Sequence, residues 1–228
     1  MTKASLYRLS GSALFFGALL SAVGYLLKPV VGHDISFYFN PLYLPSSLLT
    51  FIGAVFMLIG LPGMYAHQAR QAGTLGMAGF TVAFVGLMVL EVGTGLLYAF
   101  IPPLLASNFV TQFLVSQPKG GGFEGQMGAA FLVFFLIGLL GSNLGGLIYG
   151  IATYRARVFP RGAAILIFGG VIIGFLLSIV NNPVIGDRPI ILMLAGFAWC
   201  GIFLWTGLRE KGQAGALSEY SPREGKPA

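Results

Sequence analysis

Apolar residues in this chain run in long blocks, and the polar residues gather between the blocks. Six blocks can be drawn, at 9–27, 46–66, 74–101, 127–153, 162–180 and 189–208. Each is close to or longer than the roughly 20 residues a helix needs to cross a bilayer core. No water reaches that core, so each backbone must satisfy its own hydrogen bonds, which predicts helices. The two-residue alternation of a β-barrel strand is missing. The expected fold is an all-α integral membrane protein. Six transmembrane helices form a bundle within residues 1–209, and residues 210–228, polar and rich in Gly and Pro, form a disordered tail.

The connections differ on the two sides. Those at 67–73 and 154–161 are short, and one side therefore carries only short loops. On the other side, 102–125 has a pattern of its own. Ala106, Phe109, Val110, Phe113 and Leu114 share one helical face, and Ser107, Asn108, Thr111, Gln112 and Ser116 share the other. This predicts an amphipathic helix at about 104–116, between the third and fourth spans, lying in the membrane interface.

Composition agrees with the blocks. Hydrophobic residues are 56% of the chain and charged residues 9%, against roughly a quarter charged in soluble domains. The net charge of +6 changes meaning once the charges are placed. Lys3, Arg8, Arg70, Arg155, Arg157, Arg161 and the basic residues after Leu208 fall on one side of a six-span arrangement. Lys28, Lys119 and Arg188 fall on the other. By the positive-inside rule both termini are expected in the cytoplasm. The basic character then reports topology and implies no nucleic acid. The expected setting is the cytoplasmic membrane of a bacterium, with the lipid bilayer as partner. Lys3 and Arg8 precede the first block as they would in a signal peptide. Its long apolar run, with no small-x-small cleavage site behind it, predicts an uncleaved span.

Glycine spacing predicts how the helices meet. Gly79, Gly86 and Gly93 recur every seven residues, and "GLLGSNLGGLIYG" occupies 138–150. Small residues let helix backbones approach where hydrophobicity supplies little drive. Such stripes are expected to pack helices, and an outward stripe would suit a second copy of the chain or a membrane partner. A phosphate-binding loop would need a strand before it and is excluded.

One acid lies well inside a block. Glu91 would cost about 2.5–3.5 kcal/mol facing lipid, so it is expected to face the bundle interior. On a regular α-helix Thr94 and Tyr98 share its face and Gly93 points almost opposite. Asn143, beside Ser142 in the fourth span, is the expected side-chain partner. The candidate intramembrane polar site is thus Glu91, Thr94, Tyr98, Ser142 and Asn143. It would act either as glue between helices or as a proton or cation relay. Ser142 has no base nearby, carboxylates are not paired, and Cys200 is the only cysteine. His33 and His67 are expected at surface positions on opposite sides, which excludes a shared metal or haem. No catalytic, cofactor-binding or metal-binding residue is expected. The expected function is a non-enzymatic structural, accessory or sensory membrane component; the alternative is a small permease working through Glu91.

Overall fold

Long apolar segments of this kind can pair their backbone groups only locally, as helices. A computed structural model describes residues 3–29, 40–93, 95, 126–179 and 188–219, and all regular structure among them is helical. The elements are α1 (Lys3–Leu27), α2 (Tyr43–Leu87) running into a π-helical turn (Met88–Gly93), α3 (Gln126–Ala156), α4 (Arg161–Ile179) and α5 (Ile190–Glu219). Three helices are long and apolar enough to cross a membrane: Ser5–Leu27, Tyr43–Gly93 and Val133–Ala156. Two shorter apolar helices, Arg161–Leu177 and Ile190–Thr206, each reach about 25 Å at 1.5 Å per residue.

Three boundaries differ from the sequence reading. The connection expected at 67–73 is helical up to residue 72, and a single residue breaks the helix. Gly73 has φ 60° and ψ −154°, a combination that glycine alone adopts without strain. The chain reverses there. Tyr65 stacks on Phe80 with ring centroids 4.7 Å apart, where a straight helix would separate them by roughly 22 Å. The arms 43–72 and 74–87 therefore form an antiparallel hairpin. Second, the third block passes from α-helical to π-helical geometry over Met88–Gly93, and its expected end at Ile101 lies outside the described residues. Third, α5 passes Leu208, the expected end of the sixth span, and continues to Glu219, inside the tail expected to be disordered from residue 210. Glu210, Lys211, Ala214, Ala216 and Leu217 are good helix formers, so loss of hydrophobicity does not end the helix. The amphipathic helix expected at 104–116 lies outside the described residues.

Short signals start and stop the other elements. The Asn40 side chain accepts the Leu42 N–H at 2.9 Å and its carbonyl accepts the Tyr43 N–H at 2.9 Å, which opens α2. Arg157, at φ 56°, turns the chain out of α3. Pro160 follows, and its carbonyl accepts the Ala163 N–H at 3.0 Å to begin α4.

Packing is inside-out relative to a soluble bundle. Large apolar side chains such as Phe16, Ile59, Ile137, Leu140 and Phe175 are exposed, while Ala18, Ala54, Ala152 and Ala163 are buried. Each helix is antiparallel to the next, and backbones meet at glycines. A Cβ on Gly17 would stand 2.7 Å from the Gly53 carbonyl, and one on Gly53 2.6 Å from the Gly17 carbonyl. The stripe Gly79, Gly86 and Gly93 faces α3, against Tyr149, Ser142 and Phe134 in turn. A Cβ on Gly170 would lie 2.6 Å from the Met193 amide, joining α4 to α5. Gly11 and Gly201 close the ring by packing α5 back onto α1. One end of the ring carries Tyr7 and His67; the other, called distal below, carries Tyr25 and Pro189. His67, expected at the surface, is half-buried between the rings of Tyr7 and Phe159.

This arrangement separates two kinds of glycine. Gly86→Ala would drive a methyl group into the α3 backbone at Gly141 and Ser142 and should cost about 1–3 kcal/mol. Gly169 meets nothing within 4 Å, so Gly169→Ala should be neutral or stabilising by up to about 1 kcal/mol. Thermal unfolding in detergent reads both; equal melting temperatures would refute the close approach.

Candidate functional site

The π-helical turn sets the site. Within Met88–Gly93 the helix is widened, and Glu91 sits on the side away from α3. π-turns inside α-helices frequently mark functional positions. Glu91 is 9% exposed and faces α1. The hydroxyl of Tyr25 donates to both of its carboxyl oxygens, at 2.9 Å to Oε1 and 3.0 Å to Oε2. Tyr25 is set in place by Gly24, where a Cβ would fall 2.8 Å from the Ser46 carbonyl, so α1 and α2 press together beside it. Lys28, one turn further along α1, holds its ammonium 5.4 Å from the Tyr25 ring centroid, a cation–π distance.

The carboxyl borders a cavity of about 470 Å³ at the distal end of the bundle. Its walls are mainly apolar, with Phe135, Leu139, Phe175 and Met193 among them. Its polar lining is Tyr25, Lys28, Ser47, Thr50, Glu91, Ser142 and Asn143. A mainly apolar hollow with a few convergent polar groups is the usual form of a small-molecule site.

The structure brings three of the expected site residues to this cavity: Glu91, Ser142 and Asn143. It does not give Glu91 the partner expected. The Asn143 amide donates to the Leu139 carbonyl at 2.8 Å, one turn back on its own helix, and Ser142 donates to the same carbonyl at 3.2 Å. Short polar side chains on a helix commonly bond backward in this way. Thr94 and Tyr98 lie outside the described residues. Tyr25, which the sequence reading did not pair with Glu91, takes the place expected for Asn143.

A second polar contact, at the end carrying His67, was also missed. The Gln68 amide donates to the Thr153 hydroxyl at 2.9 Å, and both side chains are fully buried. This neutral pair ties the first arm of α2 to α3. It shows what glue alone looks like in this bundle.

Chemically, the cavity offers one carboxyl, one phenol hydroxyl, one ammonium and several hydroxyl and amide groups. Those groups can exchange a proton, hold a cation or hydrogen-bond a small polar head. Among the described residues no set of three or more His, Cys, Asp or Glu could hold a metal ion.

Tyr25→Phe removes the hydroxyl that Glu91 accepts and should cost about 1–2 kcal/mol of stability. Glu91→Gln keeps an acceptor for that hydroxyl and should be nearly neutral. Asn143→Ala, losing only a bond to its own helix, should stay within about 0.5 kcal/mol. A double-mutant cycle over Tyr25 and Glu91 checks the pairing, and zero coupling energy between them would disprove it.

No protein-family model, curated protein or solved structure matches this chain.

Proposed function

We propose that this chain is a six-span integral membrane protein of a bacterial cytoplasmic membrane, with both termini in the cytoplasm, and that it works as a small permease. The Gly73 hairpin supports counting the two arms of α2 as separate spans, which with α1, α3, α4 and α5 makes six. Arg8, Arg70, Arg155 and Arg161 then gather at one end, and Lys28 and Arg188 at the other, in the sense of the positive-inside rule. The distal cavity then opens toward the outer side.

The observation that carries the permease reading is the cavity ending on Glu91. An intramembrane acid bordering a mainly apolar hollow with a few convergent polar groups suits a proton or cation relay. Beyond it the bundle is packed: Leu14, Leu61, Ile167 and Leu204 are buried with almost no exposure. A hollow open on one side and closed on the other fits one state of an alternating-access cycle. The same closed half favours a second reading, a non-enzymatic sensory or accessory component that binds a ligand and releases it on the side it entered.

Two outcomes are expected. In a Cys200→Ser background, His33→Cys and Lys119→Cys should label from outside intact cells with an impermeant thiol reagent, and Gly215→Cys should not. Labelling at 215 alone would reverse the orientation. In proteoliposomes with an imposed proton gradient, the wild-type chain should take up protons, and Glu91→Gln should fall to the level of empty liposomes while keeping its melting temperature. Equal uptake by the two would remove Glu91 from the path. No uptake by the wild type would favour the sensory reading.

A further inference from the structure

The cavity beside Glu91 reaches the outer surface between α3 and α4. On α4, Phe168, Val171 and Phe175 follow one another along one face. A Cβ on Gly150 would stand 2.9 Å from Phe168, and one on Gly146 3.3 Å from Val171, so the two helices touch there. One turn further on, Phe175 lines the cavity together with Leu139, Leu140 and Asn143 of α3. Phe175 is 68% exposed and Leu140 56%, which puts that wall at the outside of the bundle. Phe175 lies roughly 21 Å along α4 from Arg161, short of the roughly 30 Å depth of a hydrocarbon core. In the six-span reading this side meets lipid tails, and what enters by it must dissolve in them.

The polar end of the cavity calls for a donor. The Tyr25 hydroxyl gives its hydrogen to Glu91. Thr50 gives its own to the Ser46 carbonyl at 2.7 Å, and Ser142 to the Leu139 carbonyl. The Asn143 amide nitrogen is turned back on Leu139 as well, which leaves its side-chain oxygen. What these groups can still offer is chiefly lone pairs. Glu91 adds a carboxyl, which favours a cation when ionised. The rings of Tyr25, Phe135 and Phe175 in the walls suit a cation too. Lys28 is the cationic member of the lining, and its ammonium already lies toward the Tyr25 ring.

We propose that the cavity takes a lipid-soluble primary amine. Its apolar body lies between α3 and α4, and its protonated nitrogen donates to the Glu91 carboxyl and to the oxygens around it. The binding site rests on the lining alone; carriage of the amine across the membrane rests on the permease reading.

The test uses the full chain in lipid nanodiscs and three probes with one apolar cage and different heads. They are 1-aminoadamantane, 1-adamantanol and adamantane-1-carboxylate. The amine should bind about tenfold tighter than the alcohol, because charge-assisted hydrogen bonds are roughly twice as strong as neutral ones. The carboxylate should bind most weakly. Glu91→Gln should bring the amine to the level of the alcohol while keeping the melting temperature. A Cβ on Gly174 would meet only Pro189, at 3.6 Å, among the described residues, so Gly174→Leu adds bulk to the cavity wall without a backbone clash. It should weaken amine and alcohol alike, several-fold. Tightest binding by the carboxylate would make Lys28 the anchor and overturn the proposal. So would an amine preference that survives Glu91→Gln, binding untouched by Gly174→Leu, or no binding by any probe. Amine binding without proton uptake in liposomes would keep the site and remove the permease; uptake without amine binding would do the reverse.

Discussion

The bundle depends on backbones touching backbones. Lipid tails are as apolar as leucine, so burying a large side chain between helices gains little over leaving it in the bilayer. What remains is dispersion, weak for each pair of atoms and large only when many atoms approach closely. Glycine at Gly17, Gly53, Gly86, Gly170 and Gly201 permits that approach at successive interfaces. Small residues such as Ala18, Ala54 and Ala163 are buried together with large ones such as Leu14, Tyr149 and Phe197, and many further large apolar side chains face outward. A ring closed in this way leaves little interior volume, which makes the hollow beside Glu91 informative.

Glu91 is costly to hold at its depth. Its cost at depth is about 2.5–3.5 kcal/mol. One hydroxyl bond offsets about 1–2 kcal/mol of that. The bundle makes an equivalent tie at Gln68 and Thr153 from a neutral amide and a hydroxyl, both fully buried. If a tie were all that α1 and the π-turn required, a glutamine opposite Tyr25 would supply it without a titratable group. The acid stands where a mainly apolar cavity of about 470 Å³ reaches it.

The helical class and most helix boundaries were legible because block length and hydrophobicity are properties of the sequence alone. The role of Gly79, Gly86 and Gly93 was legible for the same reason, since seven-residue spacing fixes a face. Those same glycines contained the answer that the pairing of Glu91 with Asn143 overlooked. If the stripe packs on the helix that carries Asn143, the opposite face, with Glu91, must look elsewhere, and α1 is the neighbour on that side. Tyr25 was hidden by its depth, which suits an interfacial ring equally well. The π-turn was not legible at all: nothing in "MVLEVG" departs from an ordinary helix. The connection at 67–73 was misread because a polar segment resembles a loop, although "HQARQA" forms helix and Gly73 alone makes the turn.

A turn made of one residue has no slack. A longer loop between the arms of α2 would absorb an inserted or deleted residue by rearranging. Here the second arm starts directly after Gly73, and each residue gained or lost before position 91 would turn the carboxyl by about 100° around the helix axis. One such step would carry it off the α1 face. The number of residues from Gly73 to Glu91 is therefore as strict a requirement as the identity of either one. Over that stretch the length is constrained together with the glycines, Gly79 and Gly86, that meet α3.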